Sequence, residues 1–262
     1  MRLSGSGPAE PRCRVGAGPL SRRHNGFVTS SATPVLRGGR RYARSAILVL
    51  HGGQEHNASP TSRWQLSYLR MLDMYVGLRR RSRSCAVYSL RYAVRGWNDS
   101  PNGTVAPVMD ARWALDRITA THPGVPIALL GHSMGGRTAF AVADHPDVVG
   151  LCALAPWLPQ GEPLPQRLDN RFVIAHGTAD PTTSPQLSAA YARRLRHAGA
   201  SIARFELAAG GHALLDRPAL WHRFAVRTTL GLVGDRALPA GVARALAGDS
   251  EAILALPLEE FG

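Results

Sequence analysis

From Ser45 onward, short apolar runs alternate with stretches in which apolar side chains return every third or fourth position. Ala46–Leu50 is continuously apolar and stops at His51-Gly52-Gly53, as a strand buried on both faces does. Residues 62–80 then carry Trp64, Tyr68, Leu72 and Tyr75/Val76 at helical spacing, up to a basic end at Arg79-Arg80-Arg81. The alternation continues. Strands are predicted at 85–90, 125–130, 148–155, 171–175 and 201–207. Helices are predicted at about 106–121, from about 138 to 143, at 184–198 and at 213–233. Connections this long do not make hairpins, so the pattern predicts an α/β fold with a mostly parallel central sheet and helices on both faces.

The length of 262 residues and a hydrophobic share of 45% suit one large domain, expected over residues 26–247. Residues 1–25, rich in Gly, Pro, Ser and Arg, read as an extension without fixed structure. Residues 248–262 read as a C-terminal tail with no clear partner, and 26–44 offer at most one or two short strands. The interval 156–170, between a strand and the strand before a conspicuous Asp, contains four prolines and no helical period. It therefore predicts no cap domain and an open site.

The formal charge is +13, and all 31 basic residues are Arg. Nine of them, against one Glu, precede Ser45. Codon bias accounts for that more simply than a specific nucleic-acid partner, and none is expected beyond weak non-specific association. Cys13, Cys85 and Cys152 are scattered and odd in number, as reduced thiols are. No apolar run reaches transmembrane length, and Arg2 is followed by no apolar core of a secretory signal, so the expected compartment is the cytoplasm. Oligomeric state is left open.

The chemistry concentrates in Gly131-His132-Ser133-Met134-Gly135-Gly136, where a strand turns directly into a helix. A serine on such a bend projects above the sheet, and its neighbours must lack Cβ atoms because backbone passes backbone. A hydroxyl is a poor nucleophile without a base, and His212, in Gly210-Gly211-His212 after the last predicted strand, is placed to serve. The imidazole in turn needs a carboxylate. Asp180 in His176-Gly177-Thr178-Ala179-Asp180-Pro181 is the candidate, with Asp99 in reserve and Asp216 disfavoured by its place in the last predicted helix. Oxyanion donors are expected from the backbone N–H of Met134 and of Gly53 or Gln54. His51 and His132 are expected to brace loops. His51, Glu55 and His56 lack a further ligand at workable spacing, so no metal is expected. Trp157 and Trp97 are candidate pocket walls. Arg95 is a candidate for a substrate carboxylate, although a structural pair with Asp99 or Asp110 is favoured.

These segments (LVLHGG, GHSMGG, HGTADP and GGH, in that order over residues 45–233) resemble the α/β-hydrolase superfamily, in its small lidless esterase and dienelactone-hydrolase-like branch. The resemblance implies an acyl-enzyme mechanism without cofactor, acting on a small-molecule acyl substrate. It carries Ser133, Asp180 and His212 into the roles of nucleophile, acid and base. The expected activity is hydrolysis of a carboxylic ester or related acyl bond. Thioesterase, lactonase and acyltransferase chemistry share that site, and a non-catalytic ligand-binding protein on the same fold is the alternative from another class.

Overall fold

A computed structural model describes residues 32–98, 105–248 and 250–262. The predicted extension 1–25 lies outside the described residues. Eight strands form one sheet: β1 (Val35–Gly38), β2 (Ser45–Leu50), β3 (Cys85–Arg91), β4 (Ile127–His132), β5 (Val148–Leu154), β6 (Arg171–Gly177), β7 (Ser201–Leu207) and β8 (Leu256–Pro257). Their spatial order is β1-β3-β2-β4-β5-β6-β7-β8, with β1 antiparallel to β3 and every other pair parallel.

Six helices accompany the sheet among the described residues: α1 (Leu66–Arg81), α2 (Ala106–Thr121), α3 (Met134–Ala141), α4 (Pro185–His197), α5 (Pro218–Leu232) and α6 (Ala240–Ala247). Helix α1 packs on α5, and α2 packs on α3. Phe140 of α3 meets Tyr191 of α4 edge-on at 4.9 Å between ring centroids. Both faces of the sheet are thereby covered. That is why β2 and β4 are buried at every position and read as unbroken apolar runs.

The chain leaves β2 toward β3 on one side and returns to lay β4 on the other. The strand order reverses there, and the loops after β2 and β4 open a crevice between them. Leu50 and Gly131 are register partners across that gap.

Three expectations need correction. Residues 248–262 are not a free tail: β8 pairs with β7 through Phe205↔Leu256, and Leu258 and Phe261 are buried. The Phe261 ring meets Phe224 at 5.3 Å. Helix α6 was not foreseen. The last long helix begins at Pro218 rather than 213, because Leu214 and Arg217 take left-handed conformations (φ 57° and 53°) that no helix accommodates.

Candidate active site

The bend after β4 is forced by backbone contact. A Cβ on Gly131 would lie 2.3 Å from the Gly135 carbonyl oxygen, and one on Gly135 would lie 2.3 Å from that of Leu50. Between them Ser133 takes φ 55°, ψ −120°, a conformation that costs an L-residue about 1–3 kcal/mol. The turn is held by Ser133 N–H donating to the Leu154 carbonyl and by the Ser133 carbonyl accepting from Gly136, Arg137 and Trp157.

His212 follows β7, and its Nε2 stands 3.0 Å from Ser133 Oγ. Its Nδ1 donates to Asp180 Oδ2 at 2.8 Å. That leaves Nε2 as the acceptor of the serine proton. The carboxylate, beyond β6, has every lone pair occupied. Oδ2 also accepts from Thr183 Oγ1 at 2.8 Å and from His176 Nε2 at 3.2 Å, while Oδ1 accepts the N–H groups of Thr182 and Thr183. Burial alone would raise the Asp180 pKa. The hydrogen bonds from His176, His212, Thr183 and Thr182 outweigh it and hold the carboxyl well below its ordinary range.

Of the other two acids, Asp216 precedes α5 and accepts the Gly211 N–H at 2.7 Å, bracing the loop that carries His212. Asp99 lies outside the described residues.

Two histidines flank these groups in supporting positions. His51 Nδ1 donates to the Gly52 carbonyl at 2.6 Å, and its Nε2 accepts the Tyr92 N–H at 3.2 Å. Burial lowers its pKa to about 4. With both ring nitrogens engaged, it has no free position for a metal. His132 donates through Nε2 to the His212 carbonyl at 2.9 Å, with the two rings 4.9 Å apart. Burial, assisted by the neighbouring His212, lowers the His132 pKa to about 3.

The oxyanion candidates separate clearly. Gln54 N–H donates to the Arg95 carbonyl at 2.9 Å and is therefore spent. Among the described residues, the N–H groups of Gly53 and Met134 have no hydrogen-bond partner. Gly53 lies against Met134, since a Cβ on it would come within 2.5 Å of the Met134 sulfur. Gly52 backs onto Ser133, with 3.2 Å from its built Cβ to the Ser133 Cβ. The free N–H of Met134 also opens α3, where the helix dipole favours negative charge.

This architecture is similar to that of solved hydrolases. An esterase from Thermogutta terrifontis, solved with propionate bound, aligns with TM-score 0.57 and 18% identity over 78% of this chain and 90% of its own. A carboxylesterase from Bacillus cereus aligns with TM-score 0.51 and 18% identity, over 75% and 96% of the two chains. A serine hydrolase without a lid from Xanthomonas campestris gives TM-score 0.55 and 14% identity, over 75% and 87%. The chain has the α/β-hydrolase fold. The profile of the family described as serine aminopeptidase, S33, matches residues 101–172, the stretch holding β4, the serine bend, α3 and β5. No curated protein matches the sequence.

The walls of the site differ in part from expectation. Trp97 and Trp157 meet edge-on at 6.1 Å, beside the Gly53–Gln54 loop and the Ser133 carbonyl respectively. The Arg137 guanidinium is stacked over both rings, 3.9 and 4.5 Å from their centroids, and forks onto the buried Glu162 carboxylate. Glu162 belongs to the proline-rich segment expected to form no lid. That segment is pinned by Arg137, by Tyr191 Oη on the Pro163 carbonyl and by Arg194 on the Glu162 carbonyl. A hollow of about 450 Å³ opens behind Trp97 and Arg137, toward Phe140, Leu164 and Pro165.

Arg95 does not pair with Asp110, one of the two acids expected for it, and the other, Asp99, lies outside the described residues. The Arg95 Nε donates to the Pro60 carbonyl, and Asp110 instead accepts the Ala93 N–H. Trp64 stands 68% exposed.

Sequence reasoning missed His176, Thr183, Arg137 and Glu162. His176 could have been found: it stands four residues before Asp180 at the end of a strand run, on the same sheet edge. Arg137 and Glu162 meet across 25 residues with no local signal.

Proposed function

We propose that this α/β-hydrolase is a serine hydrolase that cleaves carboxylic esters or related acyl bonds, with Ser133 as nucleophile, His212 as general base and Asp180 as the acid orienting the base. The observation that carries this reading is the continuous hydrogen-bonded chain from Ser133 Oγ through His212 to Asp180, with links of 3.0 and 2.8 Å. Ser133 Oγ attacks the acyl carbon as its proton passes to His212 Nε2. The imidazolium, stabilised by an Asp180 held ionised, then protonates the leaving group. The oxygen of the tetrahedral intermediate takes its hydrogen bonds from the N–H groups of Met134 and Gly53. Water, deprotonated by His212, releases the acid and restores the serine.

No metal or redox group is needed for this sequence of steps. The substrate we read for it is a small acyl compound, and an entrance without a cap among the described residues, beside Trp97 and Trp157, supports that reading. A panel of p-nitrophenyl esters of increasing acyl length, with matched thioesters and lactones, tests the reading. Turnover of esters that Ser133→Ala lowers by at least ~10⁴-fold is expected. Ester turnover that survives the substitution contradicts the assignment.

A further inference from the structure

The reactive groups follow the C-terminal ends of β4, β6 and β7. The opposite edge of the sheet carries a second feature. Residues 40–44, 83–84 and 121–125 immediately precede β2, β3 and β4, and together they line a hollow of about 750 Å³. Its walls include Arg40, Arg41, Arg44 and Arg83 and no acidic residue. A smaller adjoining hollow shares Arg40 and adds Arg79. Among the described residues, none of these five arginines is paired with a carboxylate.

The nearest acid is already committed. Asp235 accepts the N–H groups of Arg83 and Ser84 and the Ser84 hydroxyl, at 2.7–3.0 Å. It fixes the turn that presents Arg83. The loop carrying Arg40, Arg41 and Arg44 is tied at both ends, by Gly39 N–H on the Val87 carbonyl and Arg44 N–H on that of Ser84. The backbone that carries these cations is therefore anchored, and the Arg40 guanidinium also donates to the Arg83 carbonyl at 2.7 Å.

Two ordinary roles for surface arginine do not account for the cluster. Arg79 suits the C-terminal end of α1, where a cation meets the negative pole of the helix. Arg40, Arg41 and Arg44 lie on no helix. Neither do they neutralise buried acids. Like charges gathered around one concavity repel each other, and a multivalent anion relieves that repulsion. Guanidinium forks match phosphate oxygens in pairs, and the hollow has the size of a small-molecule site. Tyr42 stands 80% exposed beside it, with the Arg41 guanidinium 5.5 Å from its ring centroid, and offers a face for a planar group.

We infer that this hollow, bounded by Arg40, Arg41, Arg44 and Arg83, binds an anion bearing several phosphates in a row, either a free oligophosphate or the phosphate chain of a nucleotide. The site lies on the rim away from Ser133 and is independent of the reaction proposed there.

Calorimetric titration of the full chain with inorganic tripolyphosphate, and separately with a nucleoside triphosphate, tests the inference. Saturable binding with one ligand per chain is expected, weakening at least about tenfold from 20 to 200 mM salt as screening sets in. Combined substitution Arg40→Gln, Arg44→Gln and Arg83→Gln should weaken both ligands by more than about tenfold, with the far-ultraviolet spectrum and ester turnover unchanged. Arg193→Gln, an exposed arginine on α4, should leave binding as it was. Tyr42→Ala separates the two sources. A loss confined to the nucleotide means that its base stacks on the ring, and equal binding of both ligands means that the phosphate chain alone is read. Absence of saturable binding, or binding undiminished in the triple variant, overturns the inference.

Discussion

His176 and Asp180, four residues apart with both side chains shut off from solvent, share a hydrogen bond of 3.2 Å from Nε2 to Oδ2. On its other side the His176 ring meets Ser188 Oγ at 2.8 Å, and Ser188 Oγ accepts from Arg204 Nε. Arg204 reaches on to the Leu254 carbonyl, in the segment that leads into β8. The carboxylate facing His212 is thus held from behind by a chain of buried polar groups that ends at the far edge of the sheet.

Replacement of His176 should therefore act through Asp180. His176→Ala is expected to lower kcat about 10- to 100-fold, in line with losing one hydrogen bond to a buried charge, while KM stays near its original value. His176→Gln, which can still donate toward Asp180, should recover part of that loss. Equal falls in thermal stability with kcat unchanged would assign His176 to structure alone.

The two candidates for the second oxyanion donor make opposite predictions. Gly53→Ala drives a Cβ into Met134 and the Arg95 carbonyl and disturbs a free N–H, so kcat should fall about 10²- to 10³-fold. Gln54→Ala removes only a side chain that accepts from Asn57 Nδ2, and kcat should change less than about threefold. Steady-state kinetics on one ester checks both values, and a fall at Gln54→Ala as large as that at Gly53→Ala would show that the shape of the loop, not the Gly53 N–H, sets the rate.

Much of this site was legible in the sequence because its signals are local. An apolar run, two glycines flanking a serine and a helical pattern afterwards define the bend over a dozen residues, and Asp180 and His212 each follow a strand run directly. The failures share a cause. Gln54 could not be set aside without knowing that its N–H meets the Arg95 carbonyl, 41 positions away. Arg95 looked ready to pair with Asp110, whose carboxylate is spent on a backbone N–H. Leu256–Phe261 holds too few apolar residues to announce a strand, and its partners are 51 residues upstream in β7. Pro218 did mark a helix start, but the apolar spacing from 213 onward masked it.

Acid sensitivity follows from the buried histidines. His132, with its pKa lowered from 6.5 to about 3, stays neutral in the folded chain while the unfolded chain protonates it. Across that window the unfolded state binds more protons, so stability is fully present above pH 6.5 and is lost as the pH falls. His51, lowered to about 4, acts in the same direction. His132→Gln keeps a donor for the His212 carbonyl but cannot take the charge. Urea unfolding at pH 5 and pH 7.5 should show a smaller difference in this variant than in the parent.

Asp110 acts with the opposite sign. Burial raises its pKa from 3.8 to about 6, against the Ala93 N–H that lowers it. Between those values the folded chain holds the proton more tightly, so this group costs stability as the pH rises. Asp110→Asn keeps an acceptor for Ala93 and should stabilise the protein by about 2 kcal/mol at pH 8. The gain should vanish near pH 4. A gain independent of pH would show that ionisation is not its source.

In the proposed mechanism Ser133 is made reactive by the groups around it. Reaction of the folded protein with a fluorophosphonate, followed by peptide mass spectrometry, reads this without knowledge of the natural substrate. One phosphonyl adduct on Ser133 is predicted, absent in Ser133→Ala and formed far more slowly in His212→Ala. An unlabelled folded protein, or an adduct on another residue with Ser133 untouched, would contradict it.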